Sequence, residues 1–131
     1  MKKARTLLES FFYAVSGVLY SLKTQRNLRL HFFAAFLVMA ASRYLGLNHL
    51  ELAAVFFAVS LVIVTEMINT AVETTVDMIT ETYHPLARIS KNVAAGAVLV
   101  AALNAVVIGY LIFFNRIRPL MTALQKVLFG R

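Results

Sequence analysis

The 131-residue chain has no cysteine, which removes disulfides and thiolate metal sites and leaves the redox compartment undetermined. Charge is also scarce. Only 15 % of residues are Asp, Glu, Lys or Arg, while 60 % are hydrophobic and the mean hydropathy is +0.76. A water-soluble domain of this size does not need so much apolar material. The composition therefore points to one membrane-embedded domain over residues 1–131. Neither a GxxxxGK[ST] loop nor a GxGxxG run is present, so no soluble nucleotide-binding motif is available. The basic Met1–Arg5 start lacks an adjoining clean apolar core and a small-residue cleavage site, so no cleavable signal peptide is expected.

The charge that is there is mostly basic. Thirteen Lys and Arg against six Asp and Glu give a net +7, which suits contact with anionic lipid headgroups. Nucleic acid is not expected as a partner, because the chain has no soluble basic domain to carry it.

The apolar pattern predicts an all-α integral membrane protein with three transmembrane helices, an N-terminal amphipathic interfacial helix and a C-terminal amphipathic tail. Residues 3–23 place Leu7, Leu8, Phe11, Phe12, Val15 and Leu19 at helical spacing, with Lys2, Lys3, Arg5 and Glu9 on a polar side. A basic turn of Lys23, Arg26 and Arg29 follows. The first span, 28–47, reaches the length of a bilayer only by including His31 and Arg43. The second helix, 50–82, is unbroken by Gly or Pro, and at about 50 Å it exceeds a hydrocarbon core of about 30 Å. It should project from the membrane before Pro85 redirects the chain.

The third helix, 86–114, carries Ala94, Ala95, Gly96, Ala97, Ala101, Ala102 and Ala105. That small-residue surface predicts a central position, with Asn104 in an interhelical hydrogen bond. The tail, 115–131, sets an apolar face that includes Ile117, Leu120, Met121 and Leu124 against Arg116, Arg118, Lys126 and Arg131. With three spans, eight of the 13 basic residues lie on the side of the N-terminus. The positive-inside rule makes that side cytoplasmic.

One stretch has a different character. Where the long apolar run 52–64 ends, Glu66, Asn69, Glu73 and Asp77 follow at offsets of about three, seven and eleven, which return to one helix face. Lys91 opens the next apolar helix. Hard oxygens and a lysine at a membrane surface suit a metal and phosphate. Phosphoryl transfer requires a metal held by such oxygens, a cation near the phosphates and a base for the acceptor hydroxyl. Spacing alone leaves a second reading open, an ion-pair network in which Lys91 neutralises a carboxylate.

EMINTAVETTVD at 66–77, YHPLARISKNVAAGAVL at 83–99 and RNLRLH at 26–31 resemble the prokaryotic diacylglycerol kinase family of small integral-membrane lipid kinases. The match is closest to its Gram-positive undecaprenol kinase branch and covers most of residues 10–115. The resemblance implies ATP-dependent phosphorylation of a lipid alcohol in the bilayer, with undecaprenol favoured over diacylglycerol. It also implies Mg2+, a homotrimer with sites shared between subunits, and a multi-pass protein of the bacterial cytoplasmic membrane. Residue by residue, Glu66 matches the catalytic carboxylate and Asn69 an amide that orders the site. Glu73 matches a metal ligand and Lys91 the lysine on the nucleotide phosphates. Tyr13, Gly17, Tyr83 and His84 fall at nucleotide-lining positions, and Arg29 matches a basic residue near the cytoplasmic interface, on the substrate side.

Two positions depart from the family's pattern. Gln25 stands where a metal-binding glutamate is usual, and Asn92 stands where an aspartate adjoins the lysine. Amide oxygens can still ligate magnesium, but without charge they bind it more weakly. These departures motivate an alternative, a weakened or inactive member that serves as a lipid-binding or scaffold protein.

Overall fold

A computed structural model of the chain describes residues 6–80 and 82–130. Lys2, Lys3 and Arg5 of the expected N-terminal helix, and Arg131 of the tail, lie outside the described residues, as do the side chains of Leu120 and Leu124. Four α-helices make up the described chain: α1 (Leu7–Thr24), α2 (Arg26–Tyr44), α3 (His49–Ile79) and α4 (Pro85–Phe129).

Each boundary has a local cause. The Thr6 hydroxyl caps α1 by accepting from the Glu9 N–H at 3.2 Å. Gln25 alone, in an extended conformation, separates α1 from α2. Helix α2 ends three residues before the expected Leu47. Gly46 adopts φ +62°, and the Leu47 and Gly46 N–H groups turn back onto the Ser42 and Arg43 carbonyls. A capping box starts α3, with the Asn48 side chain on the Glu51 N–H and the Glu51 carboxylate on the Asn48 N–H. Helix α3 stops at Ile79, short of the expected Thr82, because Thr80 is extended and its hydroxyl donates to the Thr82 carbonyl. His84 caps α4 through Nδ1, which accepts from the Leu86 N–H at 3.3 Å, and Pro85 takes the first helical position.

Two expectations are corrected. The small-residue helix was expected at the centre, but α3 is the central element. It packs against α1, α2 and α4, whereas α4 touches only α3 among the described helices. The reason lies in the α3 sequence: Val55, Ala58, Val62, Glu66 and Asn69 recur at spacings of three or four, and all are buried. The small residues of α4 let it approach α3 along one side, where Ala101 is buried. Its other side leaves Val100, Leu103 and Val106 exposed. The expected break between a span ending at Phe114 and a separate tail is also absent. Helix α4 runs unbroken for 45 residues through Pro119, about 68 Å at 1.5 Å per residue.

Two helices are long and apolar enough to cross a membrane, α3 and residues 85–119 of α4. Helix α2, with Arg26, Arg29 and Arg43, does not meet that measure. The surface agrees with an apolar solvent. Phe56, Phe57, Leu103 and Val106 are each more than half exposed, and among the described residues the buried apolar core is confined to five. A lone chain in water does not leave such a surface open; lipid or neighbouring chains cover it. Hydroxyls along the helices are tied down locally. Ser42, Thr65, Thr70 and Thr74 each donate to the carbonyl four residues back. Asn104 differs: it is exposed, and the expected interhelical hydrogen bond is not made among the described residues.

Candidate active site

The polar stripe of α3 runs from the interior outward. Glu66 is 4 % exposed, Thr70 4 % and Asn69 8 %. Glu73, one turn further, is half-buried, and the Asp77 side chain is largely open. The apolar 52–64 run forces this gradient. It continues the same helix face inside the bundle, so the polar residues leave the core one turn at a time.

Burial and hydrogen bonding do not keep step along the stripe. Asn69 Nδ2 donates to Glu73 Oε1 at 3.1 Å. Asn69 Oδ1 is buried and has no partner among the described residues. The Glu66 carboxylate also accepts no hydrogen bond among them, although its oxygens, unlike that amide oxygen, are not fully sealed from solvent. For the sealed Asn69 Oδ1 the lack of a donor costs free energy on the order of 1–3 kcal/mol, so packing does not explain why this amide stands beside Glu66. Together they offer unspent oxygen lone pairs, suited to a hydroxyl proton or a hard cation.

Lys91 Nζ sits 2.5 Å from Asp77 Oδ1, with 36 % of the lysine side chain exposed. The structure therefore contains the ion pair that spacing allowed as a second reading, but with Asp77, at the open end of the stripe. Glu66 and Glu73 are left without the lysine. An exposed pair of this kind contributes about 0–1 kcal/mol, and a polyanion could readily take over the lysine. Asp77 was seen in the sequence as part of the stripe, but its role as the partner of Lys91 was not. The signal was the helical hairpin itself, which brings the end of α3 against the start of α4.

Other expected site residues are placed less closely. Tyr83 and His84 lie exposed in the α3–α4 connection. The His84 Nδ1 is engaged in capping, which leaves Nε2 for an external partner. Asn92 is exposed beside Lys91. Tyr13 and Gly17 lie exposed on α1, and Tyr13 meets the edge of Phe12. Gln25 is half-buried in the α1–α2 joint, and Arg29 is exposed on the first turns of α2. No hydrogen bond or ion pair joins any of these seven to the stripe among the described residues.

No group of three or more His, Asp or Glu side chains converges as a metal cage among the described residues. Magnesium does not require one, since it is commonly held by one or two carboxylates together with substrate phosphates. The unpartnered Asn69 Oδ1 beside Glu73 fits that kind of site.

An apolar cleft of about 680 Å³ lies between α2, α3 and α4. Its α3 wall is Val55, Ala58, Val59 and Val62, so it reaches within one helical turn of Glu66. At the opposite end of the α3–α4 pair, Arg116 Nη2 meets Glu51 Oε2 at 2.5 Å. Sequence reasoning missed this pair, because nothing local links residues so far apart in the chain.

The profile of the prokaryotic diacylglycerol kinase family matches residues 12–113. A Synechocystis sp. protein named diacylglycerol kinase is 45 % identical over 107 residues, covering 81 % of this chain and 61 % of that protein. A Bacillus subtilis protein named undecaprenol kinase is 38 % identical over 109 residues, covering 83 % of this chain and 89 % of the relative. A Haemophilus influenzae diacylglycerol kinase is 29 % identical over 109 residues, covering 82 % and 92 %.

Proposed function

The chain belongs to the prokaryotic diacylglycerol kinase family, and on that premise we propose that it transfers the terminal phosphoryl group of ATP to a lipid alcohol at the cytoplasmic face of a bacterial membrane. The single observation that carries the assignment of roles is Glu66, a residue only 4 % exposed whose carboxylate accepts no hydrogen bond among the described residues, one turn from the buried, unpartnered Asn69 oxygen.

In this reading Glu66 accepts the proton of the lipid hydroxyl as its oxygen bonds to the terminal phosphorus and the bond to ADP breaks. A positioned base of this kind contributes typically about 10²–10⁴-fold. Asn69 holds the hydroxyl in line. Lys91 exchanges Asp77 for the nucleotide phosphates, where a point charge offsets the charge carried by the transferring group. Tyr13, Gly17, Tyr83, His84 and Asn92 line the nucleotide. Glu73 and Gln25 would hold Mg2+, which when bound neutralises phosphate charge. The cleft that reaches toward Glu66 takes the apolar tail, and Arg29 lies at the headgroup level of the lipid.

The setting is a multi-pass protein with α2 as a third, shorter span and α1 at the interface. The N-terminus is cytoplasmic, and the basic α1–α2 turn rests on anionic headgroups. The assembly is taken as a homotrimer, and a neighbouring chain is supported by Asn104, an amide on an apolar helix surface with no hydrogen-bond partner among the described residues. In hydrocarbon such a group calls for a neighbour. Shared sites would also bring Gln25 or the α1 residues of one subunit to the stripe of another.

Undecaprenol is the favoured acceptor. Diacylglycerol is kept as a second reading because the Synechocystis relative of that name is 45 % identical. The deciding experiment supplies labelled ATP and each alcohol in mixed micelles to the purified protein. Labelled undecaprenyl phosphate formed well in excess of phosphatidic acid is expected. The reverse ratio would assign diacylglycerol. No transfer to either lipid by folded protein would overturn the kinase reading in favour of a lipid-binding scaffold.

A further inference from the structure

The family match stops at residue 113, yet α4 continues to Phe129. The two ion pairs say where that extra length lies. Asp77 meets Lys91 and Glu51 meets Arg116, so α3 and α4 run antiparallel. The pairs are roughly 25 residues apart along each helix, or about 38 Å. That exceeds a hydrocarbon core of about 30 Å and approaches the about 40–45 Å of a whole bilayer. The two pairs therefore fall at the headgroup levels of opposite faces. On the same register Pro119 draws level with His49, the first residue of α3. About the last ten residues of α4 pass beyond the end of α3, its one helical neighbour among the described residues, an overhang of about 15 Å.

This overhang has two sides. At 100° per residue Ile117, Met121 and Leu128 share one of them, and all three are exposed. Arg118, Thr122 and Lys126 share the other and, with Pro119, line a shallow recess. Arg116 has Glu51, but neither Arg118 nor Lys126 has an acidic partner among the described residues. No Asp or Glu follows Glu81 anywhere in the sequence. Unneutralised cations thus adjoin an uncovered apolar strip, at the level where phosphates lie above acyl chains. That juxtaposition is complementary to an anionic lipid surface.

We propose that residues 117–129 dock on anionic lipid headgroups at the membrane face opposite the carboxylate stripe, with Arg118 and Lys126 on the phosphates and Ile117, Met121 and Leu128 in the boundary beneath. Pro119 allows the arm to leave the direction of the span. It has no N–H to offer the Asn115 carbonyl, so the helical ladder is weakest where α4 passes the end of α3. The docked arm holds the far end of α4 independently of the catalytic face. The inference rests on the membrane-spanning reading of α3 and α4, and the test separates the two.

The chain has no tryptophan, so a single introduced one reports its own surroundings. The full chain is reconstituted in phosphatidylcholine vesicles with or without phosphatidylglycerol, and quenching by brominated lipid is read from two reporters. Leu103→Trp, in the middle of α4, is expected to be quenched in both mixtures. Leu128→Trp is expected to be quenched strongly only when phosphatidylglycerol is present. Adding Arg118→Gln and Lys126→Gln should lower the docked-to-free ratio by about 30-fold, about fivefold for each basic residue near an anionic surface. Equal quenching of Leu128→Trp in both mixtures, with Leu103→Trp quenched, would overturn the proposal while leaving the spanning reading intact. So would a Leu128→Trp emission that is shielded from water yet insensitive to brominated lipid, which would mean a protein contact. An unquenched Leu103→Trp would overturn the spanning reading and the docking with it.

Discussion

The two ends of the α3–α4 pair treat their carboxylates in opposite ways. At the far end, Glu51 accepts from the Asn48 N–H at 2.8 Å and from Arg116 at 2.5 Å, so it closes a helix start and ties it to the neighbouring helix. At the near end, Glu66 is more deeply buried and accepts nothing among the described residues, and Asn69 Oδ1 beside it is equally bare. Both acids lie on one helix. Residue type and burial alone therefore do not separate structure from chemistry, but hydrogen-bond satisfaction does. A satisfied carboxylate has already spent its lone pairs on the fold, whereas an unsatisfied one, held in place by packing, still has them for a substrate.

The widest expected gap between the two ends appears on removing one charge from each. Glu66→Gln should reduce phosphoryl transfer by about 10²–10⁴-fold. The change is nearly isosteric and breaks no hydrogen bond among the described residues, so the fold should survive it. Transfer rates in mixed micelles, with assembly checked by size-exclusion chromatography, measure both. Near-normal transfer from folded protein would remove Glu66 from the role of base and erase the contrast with Glu51.

A second, smaller effect tests Lys91, whose ion pair belongs to neither extreme. Lys91→Ala should raise the KM for ATP by about 10- to 100-fold, the loss expected for a charge-assisted contact to phosphate. The KM for the lipid alcohol should change little, because its hydroxyl carries no charge. If both constants and kcat stay put, the Asp77 pair is all that Lys91 does. The site would then look like the far end of the helix pair.

Much of this contrast was legible in the sequence. The stripe of Glu66, Asn69, Glu73 and Asp77 followed from helical spacing alone, and the end of the apolar run told where it would surface. The all-helical fold followed from long apolar segments with few breakers. What could not be read was anything set by contacts between distant segments. Glu51–Arg116 is an example, since each residue looks like ordinary interfacial charge in its own segment. The centrality of α3 is another. Small residues on α4 allow close approach, but only the packed structure says which helix is approached from several sides. The single 45-residue α4 was hidden because Asn115, Arg116 and Arg118 end the apolar run locally, while the helix-forming residues around them carry the helix on, through Pro119 as well.

A several-fold effect is expected where the chain departs from the family's pattern. Gln25→Glu should lower the magnesium concentration for half-maximal rate, because a hard anionic oxygen binds a dication more tightly than an amide does. Asn92→Asp is the companion variant, as it restores charge with almost no change in bulk. Initial rates against magnesium for the parent, both single variants and the double variant separate the outcomes. Activity in the parent with no shift in Gln25→Glu would spare the kinase but take residue 25 out of the metal site.

The smallest catalytic effect should come from the far end, and it is the control for everything above. Arg116→Gln removes the cation from Glu51 but leaves the capping box with Asn48 intact. Its predicted signature is a lower midpoint of unfolding in denaturing detergent with kcat and both KM values unchanged, since Glu51 and Asp77 are about 39 Å apart along α3. Glu51→Gln should cost more stability than Arg116→Gln. It weakens the cap as well as the pair, and it leaves Arg116 partly buried without a counter-charge. If either variant slowed transfer as strongly as Glu66→Gln, the two ends would be coupled through the rigid α3–α4 pair. Satisfaction of a carboxylate would then no longer mark it as structural. Unchanged kinetics together with a lowered midpoint would fix the division of labour, with one end of the helix pair holding the fold and the other left open for phosphate and lipid.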